Sequence, residues 1–113
     1  MVKHNRMTAT SNSDGAVLLA SFRDHIEAER IRLNAEIGTY PGPIPACDAQ
    51  FNYLLEKRTR LSAELHRVDQ LLANCRTHRA DAPDIEKVVE MMRQIDTEMT
   101  QKFMTVFNIG LAR

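Results

Sequence analysis

The stretch "FNYLLEKRTRLSAELHRVDQLLANC", Phe51 to Cys75, decides the fold. Phe51, Leu54, Arg58, Leu61, Leu65, Val68, Leu72 and Cys75 follow one another in alternating steps of three and four residues. That is a sustained heptad seam, the pattern of a helix that buries one stripe against another helix. Around it, residues 45–79 read as one helix, with proline tolerated in its first turn and Asp48 placed to suit the helix dipole. At 1.5 Å per residue such a helix is roughly 50 Å long.

Two further helical stretches flank it. Over residues 13–38, Leu19, Phe22, Ile26, Leu33 and Ile37 form a stripe. Ser11 and Asp14 stand in a capping arrangement before it, and Gly38 suits a stop just past it. Over residues 83–109 the stripe is Ile85, Val88, Met92, Ile95, Met99, Phe103 and Val106, with Asp81 or Ala82 as cap and Gly110 as stop. No strand alternation or internal repeat accompanies them. The fold class expected is all-α: a long antiparallel helical hairpin plus a third antiparallel helix, a three-helix bundle with coiled-coil-like seams. Residues 1–12 are too polar to pack and are expected to be a disordered tail, leaving 13–113 as a single helical domain.

The hairpin is testable by arithmetic. If the first two helices run antiparallel across a tight turn, facing positions have a constant sum. Leu19 with Val68, Phe22 with Leu65, Ile26 with Leu61 and Leu33 with Leu54 all sum to 87, and the same sum sets Glu29 against Arg58. Opposite charges in otherwise apolar seams predict a buried or half-buried pair that fixes register at some cost in stability. Across the second junction the sum is 160, pairing Cys75 with Ile85, Leu72 with Val88, Val68 with Met92, Leu65 with Ile95, Leu61 with Met99 and Leu54 with Val106. Arg58 then meets Lys102, an unfavourable pair unless Glu29 or Glu98 intervenes. Otherwise the third helix tilts or docks on another chain.

Between the first two helices lies "GTYPGPIPACD", residues 38–48. Pro41, Pro43 and Pro45 restrict the backbone, so the segment stops one helix and reverses the chain with little entropy to lose. Tyr40 and Ile44 are placed to cover the end of the core. The same rigidity fits a recognition tip made of Tyr40, Pro41, Pro43 and Pro45.

Little in the sequence points to chemistry. The chain has 113 residues and a formal net charge of zero, so no long-range field draws nucleic acid or anionic lipid. Trp is absent, and four Phe with two Tyr make a poor set of base-stacking platforms. Gly-rich phosphate loops, His-Glu-x-x-His and Cys-x-x-Cys are all missing. Cys75, His78 and His66 share a helix but are too few for a structural zinc site, and Cys75 reads as a seam hydrophobe. Cys47, near a helix start, reads as a packed or idle thiol rather than a nucleophile. Lys57, Arg60, Glu64 and Arg67 read as a solvated face of mixed sign. Arg76, His78 and Arg79 form a short basic cluster.

The third helix is apolar over a broad arc and holds Met91, Met92, Met99 and Met104, four of the six methionines. Such an arc needs two neighbours, either within the chain or across a dimer. Phe103, Met104, Val106 and Phe107 are the candidate surface for a second copy. The function expected is a non-catalytic helical interaction module of adaptor, regulatory or chaperone-like type, homodimeric or bound to a helical partner protein. It is expected to be cytoplasmic, away from membranes, and without metal or cofactor. The alternatives are a nucleic-acid-associated regulator using residues 76–79 and a small enzyme subunit using Cys47 or a histidine.

Overall fold

A computed structural model of the chain describes residues 5–45, 47–78 and 83–106, with side chains described from Asp14 onward. Every regular element among them is helical: α1 (Asn5–Gly38), α2 (Ala49–Thr77), α3 (Ile85–Ile95) and α4 (Thr97–Val106). None of these helices is long and apolar enough to cross a membrane. The principal extents are 61 × 28 × 23 Å.

The helix starts differ from the expected ones. α1 begins at Asn5, ahead of the start near Ser13, so Ser11 and Asp14 lie inside the helix instead of capping it, and the expected disordered tail is helical from Asn5. No proline interrupts residues 5–14, and each added residue extends an existing hydrogen-bond ladder at low cost. α2 begins at Ala49 instead of Pro45. Asp48 is its N-cap, accepting the Phe51 N–H at 2.9 Å, while the Asp48 N–H donates to the Pro45 carbonyl at 3.0 Å. α3 is capped by Asp84, which accepts the Lys87 N–H at 2.9 Å. Asp81 and Ala82, and the expected helix end at 107–110, lie outside the described residues.

The expected single third helix is broken. Asp96 is extended, at φ −162° and ψ 102°, and it ends one helix while starting the next. Its N–H donates to the Met92 carbonyl at 2.9 Å, closing α3. Its Oδ1 accepts the Met99 N–H at 3.0 Å, capping α4. Its carbonyl takes both the Thr100 N–H at 3.0 Å and the Thr100 hydroxyl at 2.8 Å. One extended residue resets the phase of the helix that follows. Hence Met104 turns inward and is buried, while Val106, expected in the stripe, is 68% exposed.

The core is a single cluster with contributions from all four helices: Leu19, Phe22, Ile26 and Leu33 of α1, six side chains of α2 from Leu54 to Cys75, Val88, Val89 and Met92 of α3, and Met99, Phe103 and Met104 of α4. α1 lies against each of the other three helices. Glu29 of α1 meets Lys57 and Arg23 meets Asp69, and just past the end of α1 Tyr40 meets Phe51. Phe22 meets Phe103 edge-on, with centroids 5.5 Å apart and rings at 70°.

Gly15 is buried where α1 passes the α2–α3 connection. A Cβ there would press into the Pro83 carbonyl oxygen and lie 3.2 Å from Val88 Cγ2. The missing side chain is what lets the two backbones touch. Gly15→Ala therefore sets a helix-propensity gain of about 1 kcal/mol against an overpacking cost of about 1–3 kcal/mol. Because the obstacle is backbone, the expected result is a net fall in the urea midpoint at unchanged slope. A rise in midpoint would show that the close approach is absent.

Candidate functional site

The predicted Glu29–Arg58 layer is not formed. Glu29 pairs with Arg32 on its own helix and reaches Lys57 Nζ at 3.9 Å across the seam. Arg58 is half-buried and makes no ion pair among the described residues. The sum rule fixes the layer to about one residue, and one residue is 100° on a helical wheel, enough to exchange Arg58 for its neighbour. Burial pushes the Glu29 carboxyl up, but Arg32, Lys57 and Lys102 together hold it below its ordinary value. Lys102 thus acts on Glu29, one of the two carboxylates expected near it. His25 stands beside the same group with its ring 5.5 Å from that of Phe103. Burial, opposed by Glu29 and reinforced by Lys102 and Arg32, holds the His25 imidazole below its usual pKa.

The patch proposed for a second copy is largely internal. Phe103 is fully buried against Phe22 and His25, and Met104 is buried as well. Val106 remains exposed, and Phe107 lies outside the described residues. Of the basic cluster, Arg76 and His78 are exposed and Arg79 lies outside the described residues. Cys75 is buried and Cys47 exposed, both as free thiols.

At the loop tip, Pro41, Pro43 and Pro45 are exposed, and the Gly42–Pro43 bond is cis. Tyr40 is turned back on the protein. Its ring meets Phe51 at 5.0 Å, and its hydroxyl donates to the Asp48 carboxylate at 3.1 and 3.2 Å. Asp48 therefore holds the first turn of α2 and the end of the loop at once. Burial, then this hydrogen bond and the Asp48 charge, raise the Tyr40 pKa.

The most unusual chemistry lies at the break between α3 and α4, and sequence reading assigned its key residue to the wrong environment. Glu64, expected on a solvated face, is 5% exposed. Its Oε1 is buried and accepts no hydrogen bond among the described residues, and its Oε2 is 3.6 Å from Arg60 Nε, whose side chain is half in solvent. Opposite stands Asp96. Loss of solvent, then a hydrogen bond to Asp96 and the Asp96 charge, against Arg60 and Arg67, raise the Glu64 pKa to about 8. A buried carboxyl that faces a second carboxyl keeps its proton instead of both groups ionising. The protonated Glu64 is itself the donor, and Asp96 accepts. The signal was present in the sequence: Glu64 and Asp96 sum to 160, the same constant as Leu65 with Ile95.

No protein-family model, no curated protein and no solved structure matches the chain.

Asp48 offers a direct check of the loop geometry. Asp48→Ala removes the cap and the Tyr40 acceptor together, with an expected loss of about 1–2 kcal/mol in urea unfolding. Tyr40→Phe keeps the cap and the ring contact, so its loss is expected to be smaller. Equal losses from the two changes would contradict a shared role for Asp48.

Proposed function

We propose that this chain is a non-catalytic helical interaction module, built as an antiparallel hairpin with a broken third leg, which self-associates through the outer face of α1. The observation that carries the reading is the apolar surface on that face. Val17 is 63% exposed and Ile31 is 58% exposed. With the exposed Ala28 and Ala35 they fall within about 60° on a helical wheel, at 100° per residue. Asp24 lies between them. The opposite face of α1 is filled by its own core, so this stripe is free for another helix. A homodimer through it is isologous, each α1 packing on its copy around a twofold axis.

A body 23 Å across in its thinnest direction supports the non-catalytic part of the reading, since it leaves little depth for a concave pocket with convergent polar groups. A cytoplasmic setting, with both thiols reduced, goes with the reading.

The measurement is native mass by light scattering at tens of micromolar. The expected value is twice the chain mass of 12.9 kDa, falling to the chain mass in Ile31→Asp. Ile31 is largely exposed, so the substitution leaves the monomer fold unstrained, and unchanged far-ultraviolet circular dichroism in the monomeric variant checks this. A monomeric parent protein at that concentration rejects the dimer.

A further inference from the structure

We propose that the junction between α3 and α4 is a proton-controlled hinge: Glu64 carrying its proton clasps Asp96 and holds the break against α2, and loss of that proton lets α4 leave the hairpin. Three features of the structure meet there. Asp96 is the single extended residue between two helices, so α4 can come away from this point with α3 left in place. Its Oδ1 is already committed to the Met99 N–H, which makes the cap of α4 and the clasp one group. Glu64 is buried with an oxygen that no donor among the described residues reaches, and a carboxylate there would face the Asp96 carboxyl at close quarters.

The surrounding charges do not rescue the ionised pair. On α2, Arg60 lies at 3.6 Å with half of its side chain in solvent, and Arg67 is exposed. On α1, the register sets Arg23 across from Glu64, but Arg23 is engaged by Asp69 at 2.9 Å and Asp24 at 3.5 Å. On α3 and α4, the nearest charged positions beside Asp96, Arg93 and Glu98, are exposed.

The sign follows from proton counting. The closed junction holds the Glu64 proton up to about pH 8, and an open junction gives Glu64 its ordinary value of 4.5. Between those limits the closed form binds more protons, so closure weakens as pH rises. The opening equilibrium grows by up to about tenfold per pH unit across the window and levels off above it.

Two measurements on the full chain test this. Carbon-13 NMR of the Glu64 carboxyl is expected to show a titration midpoint near 8. Hydrogen exchange, corrected for its intrinsic pH dependence, is expected to show protection of the Met99 and Thr100 amides falling from pH 5 to pH 8, while protection in the middle of α2 holds. Glu64→Gln, a permanently neutral donor to Asp96, is expected to keep Met99 and Thr100 protected across the same range. A Glu64 midpoint in the ordinary carboxylate range overturns the proposal, as does an equal loss of protection in Glu64→Gln. Should that variant not fold, the carboxyl titration of the parent protein decides alone.

Discussion

Burial of one face of α1 is the constraint on which the rest of the structure depends. Leu19, Phe22, Ile26 and Leu33 form a stripe that no single neighbour covers, and α2, α3 and α4 each take part of it. Phe22 is where these demands converge, fully enclosed and edge-on to Phe103. Four buried side chains of this size stabilise by roughly 1.5–3 kcal/mol each relative to exposure. The polar devices around them set positions more than they supply energy. Asp48, Asp84 and Asp96 each start a helix by accepting an amide three residues on, so the chain uses one chemical device to define three of its helix boundaries.

The helical class and most of the core were legible because a 3.6-residue period is a strong signal over long segments. The stripes of α1 and α2 carried it with Glu29 and Arg58 as their only charged positions, and fourteen of the apolar positions assigned to the three stripes within 19–75 and 88–103 are buried, Leu61 and Phe103 among them. Single-residue events were less legible. Asp96 looks like any acidic residue in a helix, and the apolar steps run across it, so the period conceals the break. Once the phase is reset there, Met104 and Val106 exchange environments, and the surface expected from their places on one continuous wheel dissolves. Arg58 and Lys57 illustrate the same limit in the seam. Constant-sum arithmetic locates a layer along the axis but does not resolve which of two adjacent long side chains crosses it.

Glu64 was missed for a different reason. Its neighbours Lys57, Arg60 and Arg67 are charged, and a carboxylate among cations reads as solvated. Burial is decided by what lies across the groove, not by sequence neighbours, and what lies across is Asp96. The constants that paired leucines with isoleucines and methionines apply equally to polar positions. Reading them for every residue of α2, instead of the apolar ones alone, brings the carboxyl pair into view.

The break also changes what kind of object the third leg is. α1 has 34 residues and α2 has 29, whereas α3 has 11 and α4 has 10. Isolated helices shorter than about 12–15 residues are marginal in water, because a costly nucleus must be repaid by few propagation steps. Undivided, the leg would approach the length at which a helix persists by itself. Divided, each half owes its helicity to docking, so secondary and tertiary order in residues 85–106 rise and fall together. A segment of this kind has no stable rod to swing. It coils when it leaves, and whatever it had covered is uncovered in the same step.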